Sequence, residues 1–414
     1  MIRSRCRREL ATKVLVGVLV AGAGAWAPVF AQGADGIRVV VTKKAEASDP
    51  TIRVRAGRGS ADVQDTLRRV LVYSGWFRIA EEGAGADYTI DPTLRTGTSA
   101  QLQLAVRARS GKGFLLDASG EESVDDLCRR AADRLIRELF GVPGPCRSVI
   151  AFVNGDKHKE IALMYPDGGG KQLLTRNGGI STEPDWGGQP GRLVYALYRN
   201  HRSETVLCDI RAKRQRRLSR KTGLNGGAAL SPDGGRLAVV ESRGARVDLV
   251  VRNVTSNEWQ AVTSDSAVEA SPAWSPDGRW LCFVSDRDGI PRVYRASMER
   301  GTKQPVIRRT LETVSPDWSP DGKRIVFAMR HEGRYRLAYT DVTKGDGEPV
   351  IVTDAGSDWE SPSWAPDSRH VVCTRTRGGR RSICVVDTRD GSVQPITRFG
   401  QYALPDWSAP LSLR

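Results

Sequence analysis

The sequence contains one long apolar run, Val14 to Ala25, and no second run of membrane-spanning length. This run is shorter than the roughly 20 residues that cross a bilayer as a helix. Basic residues precede it, and Val29-Phe30-Ala31 follows with small residues where a signal peptidase cleaves. The pattern predicts a signal peptide over residues 1–31 rather than a membrane anchor. We therefore expect a protein that is exported to the periplasm and has no membrane span.

Recognisable catalytic motifs are also absent. There is no Gly-x-Ser-x-Gly elbow and no His-Glu-x-x-His pair. The acidic stretch 286–289 lacks the ligand spacing of a calcium loop, so a polar hairpin turn is predicted there. The four histidines lie in different repeats and are predicted to be solvated: His158, His201, His331 and His370. We expect no catalytic residue, no metal and no cofactor.

Acidic residues are too few to balance the basic ones, and the net charge is +15. The densest basic cluster runs from Arg211 to Lys221, where the repeat described below places an outer hairpin. Two interpretations are open: a site for a polyanion such as lipid phosphates or teichoic-like polymers, or a charged edge that prevents association between sheets. Aromatic residues are not interleaved with the cluster, so no nucleic-acid partner is expected.

What the chain does contain is a repeat with a period of 43 to 46 residues. A Trp or Leu precedes a turn of the Ser-Pro-Asp-Gly type, and a short apolar run follows the turn. Pro, Asp and Gly suit a tight β-turn, and the apolar run is typical of a buried strand. The repeated positions are Trp186, Leu230, Trp274, Trp318, Trp364 and Trp407. This period predicts a six-bladed β-propeller over residues 144–414, with four strands in each blade.

The last repeat is incomplete, because only seven residues follow Trp407. Conversely, the segments 147–153, 160–165 and 171–175 match the three later strands of a blade but have no Trp strand before them. Pairing the two partial blades gives a complete one and removes two exposed sheet edges. We therefore predict that the strand at 403–409 pairs with residues 147–153 and closes the propeller.

Residues 32–143 lack the repeat. Some of their segments show the alternation of apolar residues that is typical of strands, and others show the spacing that is typical of helices. Alternation predicts strands at 37–42, 51–55, 76–80, 86–91 and 101–107. Apolar residues at helical spacing from Val63 to Leu71 predict a helix that ends at Ser74-Gly75, and a second helix is predicted between a cap at Ser123 and Gly141. These elements predict a small α/β domain, joined to the propeller by the Pro- and Gly-rich segment 141–145.

Six cysteines follow the predicted cleavage site, and export permits oxidation. Cys128 and Cys146 lie outside the repeats, so any disulfide is predicted between these two. The other four occupy strand positions and are expected to be buried thiols. Among them, Cys373 and Cys384 are expected to oppose each other across a two-residue turn at Gly378-Gly379.

The order of signal peptide, small α/β domain, hinge and Trp-Ser-Pro-Asp-Gly repeats resembles the TolB family of the Tol-Pal system. The segment 71–79, which contains Ser-Gly-Trp-Phe, and the terminal segment 404–410 carry the more specific likeness. The resemblance implies a non-enzymatic, monomeric periplasmic adaptor that supports outer-membrane integrity and cell division. It also implies that the propeller binds a Pal-like lipoprotein and that the N-terminal part, near residues 32–36, engages a TolA-like inner-membrane protein. The alternative is an exported propeller that binds or cleaves an envelope polysaccharide.

The partner site is expected in the loops that lead into the repeated strands, because these converge around the channel mouth. A Thr-Glu-Pro triplet at Thr182 and Glu183, together with Glu269 and Glu360, supplies polar groups there. The resemblance to TolB implies that lipoprotein contacts fall at the matching positions Leu224, Asn225, Gly227, Ala270 and Ser271.

Overall fold

The computed structural model describes residues 49–411 apart from 59–60, 82, 121–122, 220–224, 244–245, 257 and 345–346, and also leaves aside the side chains of Ala61, Asn225 and Arg243. The predicted signal peptide, the predicted strand at 37–42 and the segment 32–36 lie outside these residues, as does Leu224. Among the helices of the described residues, none is long and apolar enough to cross a membrane.

A small α/β domain comes first. Its elements are β1 (Thr51–Val54), α1 (Ala61–Tyr73), β2 (Arg78–Ile79), β3 (Tyr88–Arg95), β4 (Ala100–Ala108), β5 (Gly113–Gly120) and α2 (Val124–Phe140). The sheet has the order β2-β1-β3-β4-β5, with β1 parallel to both neighbours and the remaining pairs antiparallel. The two helices pack against each other, and their apolar faces form one core with the sheet.

The sequence signals at the ends of the two helices are confirmed. The Ser123 hydroxyl accepts a 3.2 Å hydrogen bond from the backbone N–H of Asp126, and Gly141 ends α2 in the left-handed region with φ +73°. Gly75 follows α1 with φ +71°. Such caps satisfy backbone groups that a helix leaves unpaired at its ends.

Six four-stranded antiparallel sheets follow, which confirms the predicted propeller. The strands of each blade are given from the innermost outward. Blade 1 has β9 (Ile180–Trp186), β10 (Arg192–Arg199), β11 (Arg202–Asp209) and β12 (Arg214–Ser219), and blade 2 has β13 (Asn225–Leu230), β14 (Arg236–Arg243), β15 (Arg246–Asn253) and β16 (Trp259–Ala261). Blade 3 has β17 (Glu269–Trp274), β18 (Trp280–Ser285), β19 (Arg292–Ser297) and β20 (Lys303–Pro305). Blade 4 has β21 (Thr313–Trp318), β22 (Arg324–His331), β23 (Arg334–Asp341) and β24 (Val350–Ile351), and blade 5 has β25 (Asp358–Trp364), β26 (His370–Arg377), β27 (Arg380–Asp387) and β28 (Val393–Pro395). Blade 6 has β29 (Tyr402–Trp407), β6 (Ile150–Asn154), β7 (Glu160–Met164) and β8 (Gln172–Leu173).

The predicted closure of the ring is confirmed. Strand β29, from the end of the chain, pairs antiparallel with β6, from the start of the propeller, and Trp407 lies opposite Ile150. The indole Nε1 of Trp407 also donates to the Ser148 hydroxyl. The sixth blade is therefore built from both ends of the propeller sequence, so neither partial sheet is left with an open edge.

The repeated Trp or Leu is the last residue of each innermost strand, and it packs between blades. Trp274 illustrates the contact: its Nε1 donates to the Ala229 carbonyl at 3.1 Å, and the Arg236 guanidinium lies 4.6 Å from the centre of its ring. Arg236 in turn donates to the Gly278 carbonyl of the next turn at 2.9 Å. The repeat therefore encodes contacts between blades as well as strands within them.

Cys128 and Cys146, where any disulfide was predicted, are not bonded to each other in this structure. All six cysteines after residue 48 are free, buried thiols. Cys128 is fully buried in the N-terminal core, and the backbone N–H of Cys146 is held by the Asp133 carboxylate at 2.8 Å. The opposition of Cys373 and Cys384 across the Gly378-Gly379 turn is confirmed, but these side chains are separate thiols too.

Candidate functional site

The channel of the propeller is lined by one bulge from each blade. At the same position of every innermost strand the pairing register shifts, and one residue adopts a positive φ of 49° to 55°. These residues are Glu183, Gly227, Ser271, Ser315, Ser361 and Leu404. A bulge bends the strand and redirects its side chains, and non-glycine residues adopt positive φ at an energetic cost. Because the same conformation recurs in all six blades, the bulges are a regular structural feature of the channel wall.

A proline follows the bulge in five of the six blades, and Ala228 takes its place in blade 2. Proline has no backbone N–H, so it is tolerated in a sheet mainly at edges and bulges, where no ladder hydrogen bond is lost. The bulge residues and the residues that follow them surround a cavity of about 130 Å³ on the propeller axis. The cavity is lined by apolar proline rings and by serine, glutamate and aspartate side chains.

Two positions beyond the bulge, four of the six blades have a polar side chain that connects one blade to the next. Asp185 accepts from the Leu230 backbone N–H at 2.9 Å, and Asp317 accepts from the Trp364 N–H at 2.7 Å. Asp406 accepts from the Ser363 hydroxyl at 2.8 Å. Blades 2 and 3 have Ala229 and Ala273 at this position. The bonds join the first blade to the second, the fourth to the fifth, and the fifth to the sixth.

The three aspartates have raised pKa values. Burial is the main cause at each, and it raises the pKa of Asp317 to about 6. The pKa of Asp185 is also raised well above its ordinary value, first by burial and then by the negative charge of Asp406. The pKa of Asp406 is raised by burial and by Asp317. Burial at all three, and a neighbouring carboxylate at Asp185 and Asp406, therefore disfavour the ionised form of these side chains.

Four of the sequence-predicted partner residues line this channel, in strands rather than in loops: Glu183, Gly227, Ala270 and Ser271. Glu183 lies in β9 and accepts from the Gly227 backbone N–H at 2.7 Å, which connects blades 1 and 2. Ser271 is the bulge residue of blade 3, and Ala270 precedes it. Asn225 begins β13. The expected loop location was therefore wrong, because the bulges bring these strand positions into the channel wall.

Two of the predicted glutamates differ in exposure. Glu269 is fully buried and accepts from the Thr263 hydroxyl at 3.0 Å and from Arg287 at 3.2 Å. Its pKa is raised to about 7, mainly by burial. Glu360 is half-buried, and its pKa is also raised to about 7 by burial. Thr182 is buried, and its hydroxyl has no hydrogen-bond partner among the described residues. Glu269 is thus a structural carboxylate, whereas Glu360 reaches solvent.

Three of the four histidines lie at strand ends or turns and contact solvent, as predicted: His158, His201 and His331. The prediction is wrong for His370, which is 2% exposed. Its Nδ1 lies 2.6 Å from the Asp367 carboxylate, beneath the N-terminal domain. His370 follows a turn of the repeat, so its sequence context suggested solvent, and the domain that covers it could not be placed from the sequence. In the described part of the chain, no group of three or more His, Cys, Asp or Glu residues could hold a metal ion.

The N-terminal domain docks on the face of the propeller that carries the Ser-Pro-Asp-Gly turns, hereafter the turn face. Trp76 donates to Asp367 in the turn after β25, and Arg369 in the same turn binds Asp49 at 2.8 Å. A second contact joins Arg129 of α2 to Asp167 in the β7–β8 turn at 3.0 Å. The loops before the innermost strands lie at the opposite ends of those strands. We call that side the loop face.

Comparison with known proteins gives a family match and matches to solved structures. The sequence matches the family model of the TolB beta propeller domain over residues 136–411. The Tol-Pal system protein TolB of Alcanivorax borkumensis is 27% identical over 114 residues, which is about a quarter of each chain. The crystal structure of TolB from Acinetobacter baumannii is 19% identical, with a TM-score of 0.79 over 87% of this chain and 97% of that one.

The propeller fold also occurs in proteins with other roles. Hydrazine synthase of Kuenenia stuttgartiensis is 12% identical and matches 66% of this chain and 47% of its own, with a TM-score of 0.55. The fold by itself therefore does not choose between a binding protein and an enzyme. The family match covers two thirds of the sequence, including all six repeats, and the chain belongs to the TolB beta propeller domain family.

Proposed function

We propose that this protein is the TolB-type component of a Tol-Pal system, a non-enzymatic adaptor in the periplasm. In this role its propeller binds a Pal-like lipoprotein, and its N-terminal part engages a TolA-like inner-membrane protein. The complex supports outer-membrane integrity and cell division. The observation that carries the proposal is the family match across all six blades, together with the small α/β domain docked on the turn face.

The lipoprotein site is proposed on the loop face, around the channel mouth. Six bulge residues converge there from six blades, and docking of the N-terminal domain on the turn face leaves the opposite side to a partner. Bulges re-aim side chains next to functional sites, and a concave surface allows several polar groups to contact one ligand. Glu183, Ser271, Ser361 and Glu360 are the polar residues proposed to contact the lipoprotein.

The alternative function is an exported propeller that binds or cleaves an envelope polysaccharide. The channel offers three carboxyl groups with raised pKa values, which is a property of acid–base sites. However, each of them accepts a hydrogen bond from a neighbouring blade, so their geometry is accounted for by contacts between blades. We therefore favour the adaptor.

Affinity capture from the native envelope separates the two functions. The protein is expressed at its natural level with a C-terminal tag, and its partners are captured from detergent-solubilised envelopes. Recovery of a small peptidoglycan-associated lipoprotein supports the adaptor. Its absence, with retention on an immobilised envelope polysaccharide, would favour the alternative. A Ser361→Arg variant, which fills the channel mouth, serves as the matched control and is expected to lose the lipoprotein while staying folded.

A further inference from the structure

The outermost strand of blade 1 differs from the outermost strands of the other blades. Strand β12 has six residues, whereas the other five outer strands have two or three. Its first four residues are exposed and include Arg214, Arg216 and Arg217, and the preceding turn adds Arg211 and Lys213. The other blades protect their edges by being short, whereas this longer edge carries a concentration of exposed positive charge.

Two of these arginines are held in place by the protein. Arg216 donates to the Val254 carbonyl of blade 2 at 3.0 Å, and Arg217 lies 3.0 Å from the Glu204 carboxylate. Each of these two side chains is therefore oriented by a contact with the protein. A charge that is held in position loses little conformational entropy when it binds a ligand.

The remaining basic residues of this edge have no acidic partner in the described part of the chain: Arg211, Lys213 and Arg214. The nearby carboxylate of Asp209 is engaged elsewhere, since it accepts from the Ala212 backbone N–H at 2.9 Å and lies 3.9 Å from Arg192. The turn and the start of β12 thus present three cationic groups with no local neutralisation.

An exposed aromatic residue lies beside this cationic edge. The carbonyl that Arg216 contacts belongs to the β15–β16 turn, and β16 begins at Trp259, which is 52% exposed. Exposed tryptophan next to arginine and lysine is typical of surfaces that lie at a membrane interface, where the indole ring occupies the headgroup region. Scattered apolar residues on a surface require no explanation, but this one begins the strand that follows the turn contacted by Arg216.

We propose that the outer edge of blades 1 and 2, formed by Arg211, Lys213, Arg214, Arg216 and Trp259, docks on the anionic phospholipid headgroups of a membrane surface. The exposed basic residues follow one turn and one strand, so they can contact a plane of phosphates at several points. Single-stranded nucleic acid would need a series of stacking aromatics.

The position of this edge is compatible with the docking of the N-terminal domain. The β11–β12 turn lies at the same end of its blade as the Ser-Pro-Asp-Gly turns, so the cationic edge borders the turn face. The N-terminal domain covers that face at blades 5 and 6. A membrane at the edge of blades 1 and 2 would therefore leave the loop face accessible, and the inference is independent of which partner binds there.

Vesicle binding tests the proposal. The exported, processed protein is sedimented with vesicles of mixed phosphatidylglycerol and phosphatidylcholine, and with pure phosphatidylcholine as a reference. Each basic residue at an anionic surface changes the partition coefficient by about fivefold. The triple variant Arg211→Gln, Lys213→Gln, Arg214→Gln should bind the anionic vesicles roughly a hundredfold more weakly. Arg211→Gln alone should reduce binding by about fivefold, which keeps the test decisive if the triple variant is unstable.

The matched control neutralises three exposed basic residues on the rim of blade 3: Arg300→Gln, Lys303→Gln and Arg308→Gln. Its net charge equals that of the first triple variant, but its substitutions lie outside the edge of blades 1 and 2, so it should retain wild-type binding. Equal loss in both variants would assign the binding to overall charge and overturn the proposal. The proposal would also fail if the protein bound a duplex oligonucleotide but not the anionic vesicles, or if it did not distinguish the two kinds of vesicle.

Discussion

The indole Nε1 of Trp76 donates a 3.0 Å hydrogen bond to the carboxylate of Asp367, and this bond joins the N-terminal domain to blade 5. The Asp367 carboxylate also accepts from the backbone N–H groups of Arg369 and His370, and it lies 2.6 Å from the ring Nδ1 of His370. The Arg369 guanidinium lies 4.5 Å from the centre of the Trp76 ring. A single turn of the propeller therefore holds an aromatic residue of the other domain by hydrogen bonding and by a cation–π contact.

Replacing Trp76 with Phe should weaken this junction between the domains while keeping an aromatic ring in place. The ring remains, but the Asp367 carboxylate loses a donor in a buried setting, which costs about 1–3 kcal/mol of unfolding free energy. Urea unfolding measures the loss, and small-angle scattering should show a larger radius of gyration if the domains separate. Trp259→Phe, at the 52% exposed tryptophan, is the control and should leave both quantities unchanged.

Two glycines with the same backbone conformation should respond differently to alanine. Gly75 and Gly141 both have φ near +70°, at +71° and +73°. A Cβ on Gly75 would lie 2.2 Å from Nε2 of His370, whereas a Cβ on Gly141 would meet nothing within 4 Å. Gly141→Ala should cost only the left-handed strain of about 1 kcal/mol. Gly75→Ala should cost clearly more, because His370 must move and the junction must open.

Thermal unfolding of the two alanine variants provides the measurement. A double variant, Gly75→Ala with His370→Ala, should recover part of the lost stability because the clash is removed. Equal Tm values for Gly75→Ala and Gly141→Ala would contradict the docking of the N-terminal domain on His370.

Asp317 should make the protein less stable as the pH rises from about 4 to 6. Burial raises its pKa from 3.8 to about 6 in the folded protein, so the folded state binds more protons than the unfolded state in this interval. Stability therefore falls with rising pH there, by on the order of 2–3 kcal/mol for this group. Asp317→Asn, which keeps an oxygen acceptor for the Trp364 N–H, should flatten the pH dependence of the unfolding free energy. An unchanged slope in urea titrations at pH 4, 5 and 6 would contradict the assignment.

Much of the propeller could be predicted from the sequence because its repeat is dense and regular. Trp and Ser-Pro-Asp-Gly mark the ends of innermost strands, and the incomplete last repeat indicates pairing with residues 147–153. The small domain was predicted less completely. Strand β5 was missed because Leu115, which is 62% exposed, interrupts the alternation of Phe114, Leu116 and Ala118.

The channel wall and the domain junction could not be predicted, for a common physical reason. Both depend on residues far apart in the sequence that meet only after the ring closes. The bulge at Glu183 has no sequence signal except the proline that follows it. His370 looks like a solvated strand residue until Trp76 covers it, and Asp49 lies 320 positions from the arginine that it binds. Local patterns give strands and turns, whereas these contacts follow from topology.

Binding of the Pal-like lipoprotein encoded in the same genome tests the central claim most directly. Isothermal titration of its soluble domain into the exported protein should give a one-to-one complex. Glu360→Lys and Ser361→Arg, at half-buried positions around the channel mouth, should each weaken it at least tenfold without lowering Tm appreciably. Arg214→Gln, on the outer edge of blade 1, should bind like the wild type. Absence of binding by the unaltered protein, or loss of binding in Arg214→Gln but not in the two channel variants, would contradict the account.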